Sequence, residues 1–169
     1  RSTDGGATFQ KVLYKDEYTS ANEILIDPKN PNTLYATLWS QQQSFIEGQG
    51  FGDAGMGIFK STDGGSTWNQ LSAGLPAILQ ANIAIAASAS NILYAAIAPG
   101  QGPIGFYKST NGGANWVQAI RGQGAPAGLA QDMRPLARIG GGDLPTVTID
   151  PKDPNVVYTA STVMWRTLD

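Results

Sequence analysis

Apolar residues run along this chain in short stretches that turn-forming residues keep interrupting. The longest, Asn82–Ala98, is broken by Ser88, Ser90 and Asn91. It therefore predicts two strands about a turn, not a membrane-crossing helix. The pattern predicts strands at 23–26, 33–40, 57–60 and 67–71, then at 83–87, 92–98, 105–108 and 115–119. A third, shorter set follows at 146–149, 156–161 and 163–166. Four short antiparallel strands per repeat of this length describe the blade of a β-propeller.

Two turn motifs alternate between these strands. Ser2-Thr3-Asp4-Gly5-Gly6-Ala7-Thr8-Phe9 recurs as Ser61–Trp68 and again as Ser109–Trp116, and a fourth copy begins at Trp165 and reaches Asp169. The equivalent Asp or Asn stands at 4, 63, 111 and 169, intervals of roughly 50 to 60 residues. The second motif, Ile26-Asp27-Pro28-Lys29-Asn30-Pro31-Asn32 with Tyr35 behind it, recurs at Ile149–Tyr158, with a degraded copy at Ile85–Tyr94.

Both motifs read as turn chemistry. A short acidic or amide side chain accepts bonds from main-chain amides just ahead of it, and Asn111 is suited to the same task. The glycines permit positive φ, and the aromatic at 9, 68 or 116 anchors the strand that follows. Proline in the second motif sets φ and withholds a ladder bond. This assigns Asp4, Asp63, Asn111, Asp169, Phe9, Trp68 and Trp116 structural roles. Calcium binding by Asp27, Asn30 and Asn32 is the weaker reading, because the spacing is not that of an EF-hand loop.

Antiparallel alternation also sorts the two ends. Both motifs fall at one end of the blades, and the long segments 14–22, 41–56, 72–82, 99–104 and 121–145 fall at the other. Function concentrates in long loops on a rigid scaffold. In 41–53, Trp39 leads into Phe45 and Phe51 with Glu47 and Asp53 beside them, a set suited to stacking and hydrogen-bonding a saccharide. In 121–143, Arg134 and Arg138 stand ready to grip a carboxylate. A glycosidase needs two carboxyls about 5 to 9.5 Å apart, and Asp53, Asp143, Glu47 and Asp132 are the candidates at that end.

Composition narrows the classes. Gly at 21 residues and Pro at 10, against 14% charged residues, favour turns and short strands. A net charge of −2 gives no broad electrostatic case for nucleic acid or an anionic membrane. With neither Cys nor His in the chain, zinc sites built on those ligands, cysteine nucleophiles and Ser-His-Asp triads are excluded within it. No metal and no cofactor is expected.

The octapeptide Ser-x-Asp-x-Gly-x-Thr-Trp resembles the Asp-box, or BNR repeat, and Ser61–Trp68 matches it at every defined position. Phe9 departs from it in the first copy, and Asn111 and Asn115 in the third. With the Asp-Pro motif added, the chain is similar to the sortilin-like and xyloglucanase-like group of propellers. The resemblance implies an all-β partial propeller: the outer strand of one blade in 1–13, complete blades in 14–71 and 72–119, and an incomplete one in 120–169. Three blades fall short of the four to eight that usually close a ring, so the remaining blades of the same propeller are expected as partners. Two chains closing one six-bladed ring is the alternative. The resemblance further implies an exported scaffold that binds a polysaccharide or protein ligand, or else part of a glycoside hydrolase. A sialidase site is not supported, because Tyr35, Tyr94 and Tyr158 belong to the strand repeat.

Overall fold

The computed structural model describes residues 1–40, 42–44, 48–50, 55–99, 104–121, 144–160 and 164–167. Their regular structure is entirely β. The first sheet joins β1 (Thr19–Asp27), β2 (Asn30–Ser40), β5 (Gly57–Ser61) and β6 (Asn69–Leu71) in that order. The second joins β7 (Ile78–Ile85), β8 (Leu93–Pro99), β9 (Gly105–Ser109) and β10 (Val117–Arg121), and the third joins β11 (Thr146–Ile149), β12 (Val157–Ala160) and β13 (Met164–Arg166). Every pairing is antiparallel between strands consecutive in the blade. This is a partial β-propeller. Among the described residues no helix is long and apolar enough to cross a membrane.

Several elements differ from the pattern-based expectation. β1 and β7 start well before residues 23 and 83, and each passes an irregularity, between Ala21 and Glu23 and between Ile78 and Gln80. A bulge of this kind shifts the alternation and hides the strand from a period-two reading. The insertion expected as a loop contains a small hairpin, β3 (Gln42–Ser44) paired with β4 (Gly48–Gly50). Residues 1–13 carry the first octapeptide turn, closed by a mutual pair of bonds between Arg1 and Gln10, without an assigned strand.

The blades pack face to face, and their contacts form the core. Tyr35 and Ile58 of the first blade meet Ile83, Leu93, Tyr107 and Trp116 of the second. Ala96 and Phe106 of the second meet Leu144, Val147 and Trp165 of the third. The register repeats from blade to blade. Tyr35 lies opposite Lys60, Tyr94 opposite Lys108 and Tyr158 opposite Arg166. Each cation sits over its tyrosine ring, at 5.3, 5.2 and 5.8 Å from the centroid, a repeated cation–π contact.

The two turn motifs lie together at one end. Gly64 N donates to Asn32 O at 2.9 Å, and Gly112 N donates to Asn91 O at 2.8 Å. Lys29 Nζ reaches Ser88 O in the next blade at 2.5 Å, and Arg1 reaches Gly64 O at 3.0 Å.

Candidate functional site

At the turn end the Asp and Asn side chains of the octapeptides are met by amides and hydroxyls of their own turns. Asp63 accepts bonds from Thr67 Oγ1 (2.6 Å), Thr67 N (2.9 Å), Ser66 N (2.9 Å) and Ser61 Oγ (2.8 Å). Asp4 repeats the set with Thr8 Oγ1 (2.6 Å), Thr8 N (3.0 Å) and Ser2 Oγ (2.7 Å). The threonine hydroxyl, then the threonine amide, then the serine hydroxyl hold both carboxyls well below the usual carboxylate range. Asn111 keeps the bonds from Asn115 N at 2.9 Å and Ser109 Oγ at 3.0 Å. In the second motif Asp27 accepts from Lys29 N and Asn30 from Asn32 N, while Asn30 donates to Thr33 Oγ1. Among the described residues no three acids group as metal ligands do.

The aromatics of the octapeptide differ sharply in setting. Phe9 is 78% exposed, Trp68 is half-buried with Nε1 donating to Gly65 O, and Trp116 is 3% exposed. Asp169 lies outside the described residues.

Asp53, Asp143, Glu47, Asp132, Phe45, Phe51, Arg134 and Arg138, expected at the opposite end, also lie outside the described residues. Trp39 is described: it is half-buried near the end of β2, opposite Ser20. Beside it runs the segment 14–19, which holds none of the residues expected from sequence to bind a ligand. Asp16 accepts from Thr19 Oγ1 (2.8 Å), Tyr18 N (2.8 Å) and Thr19 N (2.7 Å). The Thr19 hydroxyl is the leading cause that lowers its pKa. This turn packs against the base of the insertion, where a side-chain carbon on Gly55 would stand 2.9 Å from both Lys15 Cβ and Thr19 Oγ1. The signal was present in the sequence as Asp16-x-x-Thr19, a side-chain-to-backbone turn. Tyr14 and Tyr18 are exposed here. The Lys11 ammonium sits 4.0 Å from the Tyr14 ring centroid, and the neighbouring Glu17 carboxylate raises the pKa of the Tyr18 phenol.

A further acid lies midway between the ends. Glu23 on β1 reaches across to the next blade, where its Oε2 accepts from Ile83 N at 2.8 Å. Burial pushes its carboxyl up, and the Ile83 bond pulls less strongly the other way. Asn22 Nδ2 donates to Asn82 Oδ1 at 2.8 Å, and Asn82 Nδ2 donates to Leu144 O and Pro145 O at 3.2 and 3.1 Å. Polar side chains thus tie the first strands of two blades to each other and to the segment that enters the third.

The fold defines the chain as a run of propeller blades. Its structure is similar to the GH74 enzyme of Niastella koreensis, with a TM-score of 0.66 and 18% identity over 98% of this chain and 24% of that one. It is also similar to the GH74 xyloglucanase of Xanthomonas campestris, with a TM-score of 0.61 and 15% identity over 93% of this chain and 22% of that one. YCF48 from Cyanidioschyzon merolae gives a TM-score of 0.54 and 17% identity over 92% of this chain and 36% of that one. The chain therefore spans about a third or less of the length of these neighbours. No family model and no curated protein sequence matches it.

Proposed function

We propose that this chain is a scaffold and ligand-binding segment of an exported Asp-box propeller of the sortilin-like and xyloglucanase-like kind. Its ligand would be a polysaccharide held at the long-loop end. The carrying observation is the contrast between the two ends. The turn end spends its carboxylates on its own amides and hydroxyls. The other end closes one such turn at Asp16 but also presents Tyr14 and Tyr18 to solvent, with the Glu17 carboxylate adjacent and Trp39 half-buried in β2. Aromatic faces beside a carboxylate match the apolar faces and hydroxyls of a sugar chain.

Xyloglucan is the first probe, because one structural neighbour is named a xyloglucanase. Affinity electrophoresis of the full-length protein through gels containing xyloglucan is expected to show retardation. Trp39→Ala or Tyr18→Ala is expected to weaken it about 2- to 10-fold, the usual size of an aromatic contact. Unchanged mobility across a panel of plant and microbial glycans would overturn the reading.

The second reading, part of a glycoside hydrolase, is favoured by the two GH74 neighbours. It predicts release of reducing sugar by the full-length protein, lost on Asp53→Asn or Asp143→Asn. Binding without release would leave the first reading standing alone.

A further inference from the structure

Asn111-Gly112 is the sole Asn-Gly pair in the chain, and it occupies the position that Asp4-Gly5 and Asp63-Gly64 fill in the other octapeptides. We propose that it is a site of spontaneous deamidation that the folded turn activates at one atom and locks at another. The electrophile is the side-chain carbonyl of Asn111. Its Oδ1 accepts from Asn115 N at 2.9 Å and Ser109 Oγ at 3.0 Å, two donors that draw electron density off Cγ, as donors aimed at a reacting carbonyl do. Asn111 is exposed, so water and hydroxide reach it.

The nucleophile is the main-chain nitrogen of Gly112, and here the fold opposes reaction. Its N–H donates to Asn91 O at 2.8 Å and so points away from Cγ. The glycine is held on its other side too, because Gly112 O accepts from Lys60 Nζ at 2.7 Å and Tyr35 Oη at 3.0 Å in the preceding blade. Gly112 has φ of +66° and no Cβ, so once released its nitrogen meets little steric resistance in swinging towards the side chain.

The chemistry balances without an outside oxidant or reductant. A base takes the proton from Gly112 N, the nitrogen bonds to Cγ, and the Cγ–Nδ2 bond breaks as ammonia departs with a proton. Water then opens the resulting succinimide at either carbonyl. One product is aspartate at 111, the residue of the other octapeptides, and it accepts the same two donors. The other is isoaspartate, which routes the main chain through Cγ and carries Gly112 off Asn91, Lys60 and Tyr35. Position 115 fits this reading. Thr8 and Thr67 donate to the second carboxylate oxygen at 2.6 Å, whereas Asn111 presents an amide nitrogen there and stands four residues from Asn115, not a threonine.

The test compares the full chain folded and in urea at one mildly alkaline pH, with proteolysis and mass spectrometry reading acid formation at residue 111. Conversion is expected to be at least about tenfold slower in the folded chain, since it must wait for local opening. Lys60→Met is expected to raise the folded rate several-fold and leave the rate in urea unchanged. Tyr35→Phe, which keeps the ring, is the second variant should Lys60→Met fail to fold by circular dichroism. Equal rates folded and in urea, no conversion at 111 in urea, or an unchanged folded rate in the well-folded variant would each overturn the proposal.

Discussion

Carboxyl groups in this chain separate by what meets them. Asp4 and Asp63, and to a smaller extent Asp16 and Asp150, are met by hydroxyls and amides, so their folded pKa lies below the ordinary value of 3.8. Such groups contribute stability that is present above that value and lost as pH falls below it. Glu23 is half-buried, and its pKa lies above the ordinary 4.5. Its contribution has the opposite sign: it is complete below 4.5 and lost as pH rises through the folded value. The stability of the chain should therefore peak in mild acid. Glu23→Gln keeps an oxygen for Ile83 N without a charge to desolvate. Thermal melts of the two proteins from about pH 3 to pH 8 are expected to show the decline towards neutral pH flattened in the variant, with the acid-side decline retained. Parallel curves over the whole range would refute the assignment to Glu23.

Elements built from the same residues end up in different surroundings, and the octapeptide shows why. Trp116 lies under the segment that follows β6: its N donates to Ala73 O at 3.0 Å, and a Cβ on Gly74 would fall 2.0 Å from its carbonyl oxygen. At φ of +80° only glycine sits comfortably at 74. Phe9 has no such cover. Trp116→Ala is expected to cost about 3–5 kcal/mol, and Phe9→Ala within about 0.5 kcal/mol, as urea unfolding would measure. Equal costs would mean that the aromatic serves its own strand and not the blade interface. The turns were legible in the sequence because their chemistry is local: Asp or Asn reaches amides three or four residues on, and glycine takes the positive φ. The early starts of β1 and β7 were hidden by bulges, and the hairpin β3–β4 by a run of Gln and Gly. Glu23 and Asn82 escaped notice because strand alternation says which face a residue takes, not how far it reaches across a blade interface. Of the residues expected to bind a ligand, Trp39 alone lies among the described residues.

Across the whole molecule, the register makes Ile24 the counterpart of Ile83, for Ile24 pairs with Ala36 and Ile83 with Ala95, each alanine one residue after the repeated tyrosine. Ile83 is 1% exposed because the first blade covers it, whereas Ile24 and Ile26 are 61% and 57% exposed. The same position is thus a buried contact in one blade and an open apolar face in another, as expected of a partial propeller that further blades complete. An open face of this kind, beside the unpaired edge of β1, favours association of chains. Ile24→Thr with Ile26→Thr is expected to shift sedimentation of this chain towards monomer and to leave its melting temperature within a few degrees, since neither side chain is buried to begin with. Ile83→Thr, made as the matched control, is expected to lower the melting temperature sharply, because it places a hydroxyl between two packed sheets. If the double variant melts as early as the control, the face at Ile24 and Ile26 is already covered from within the chain, and association must be driven from elsewhere.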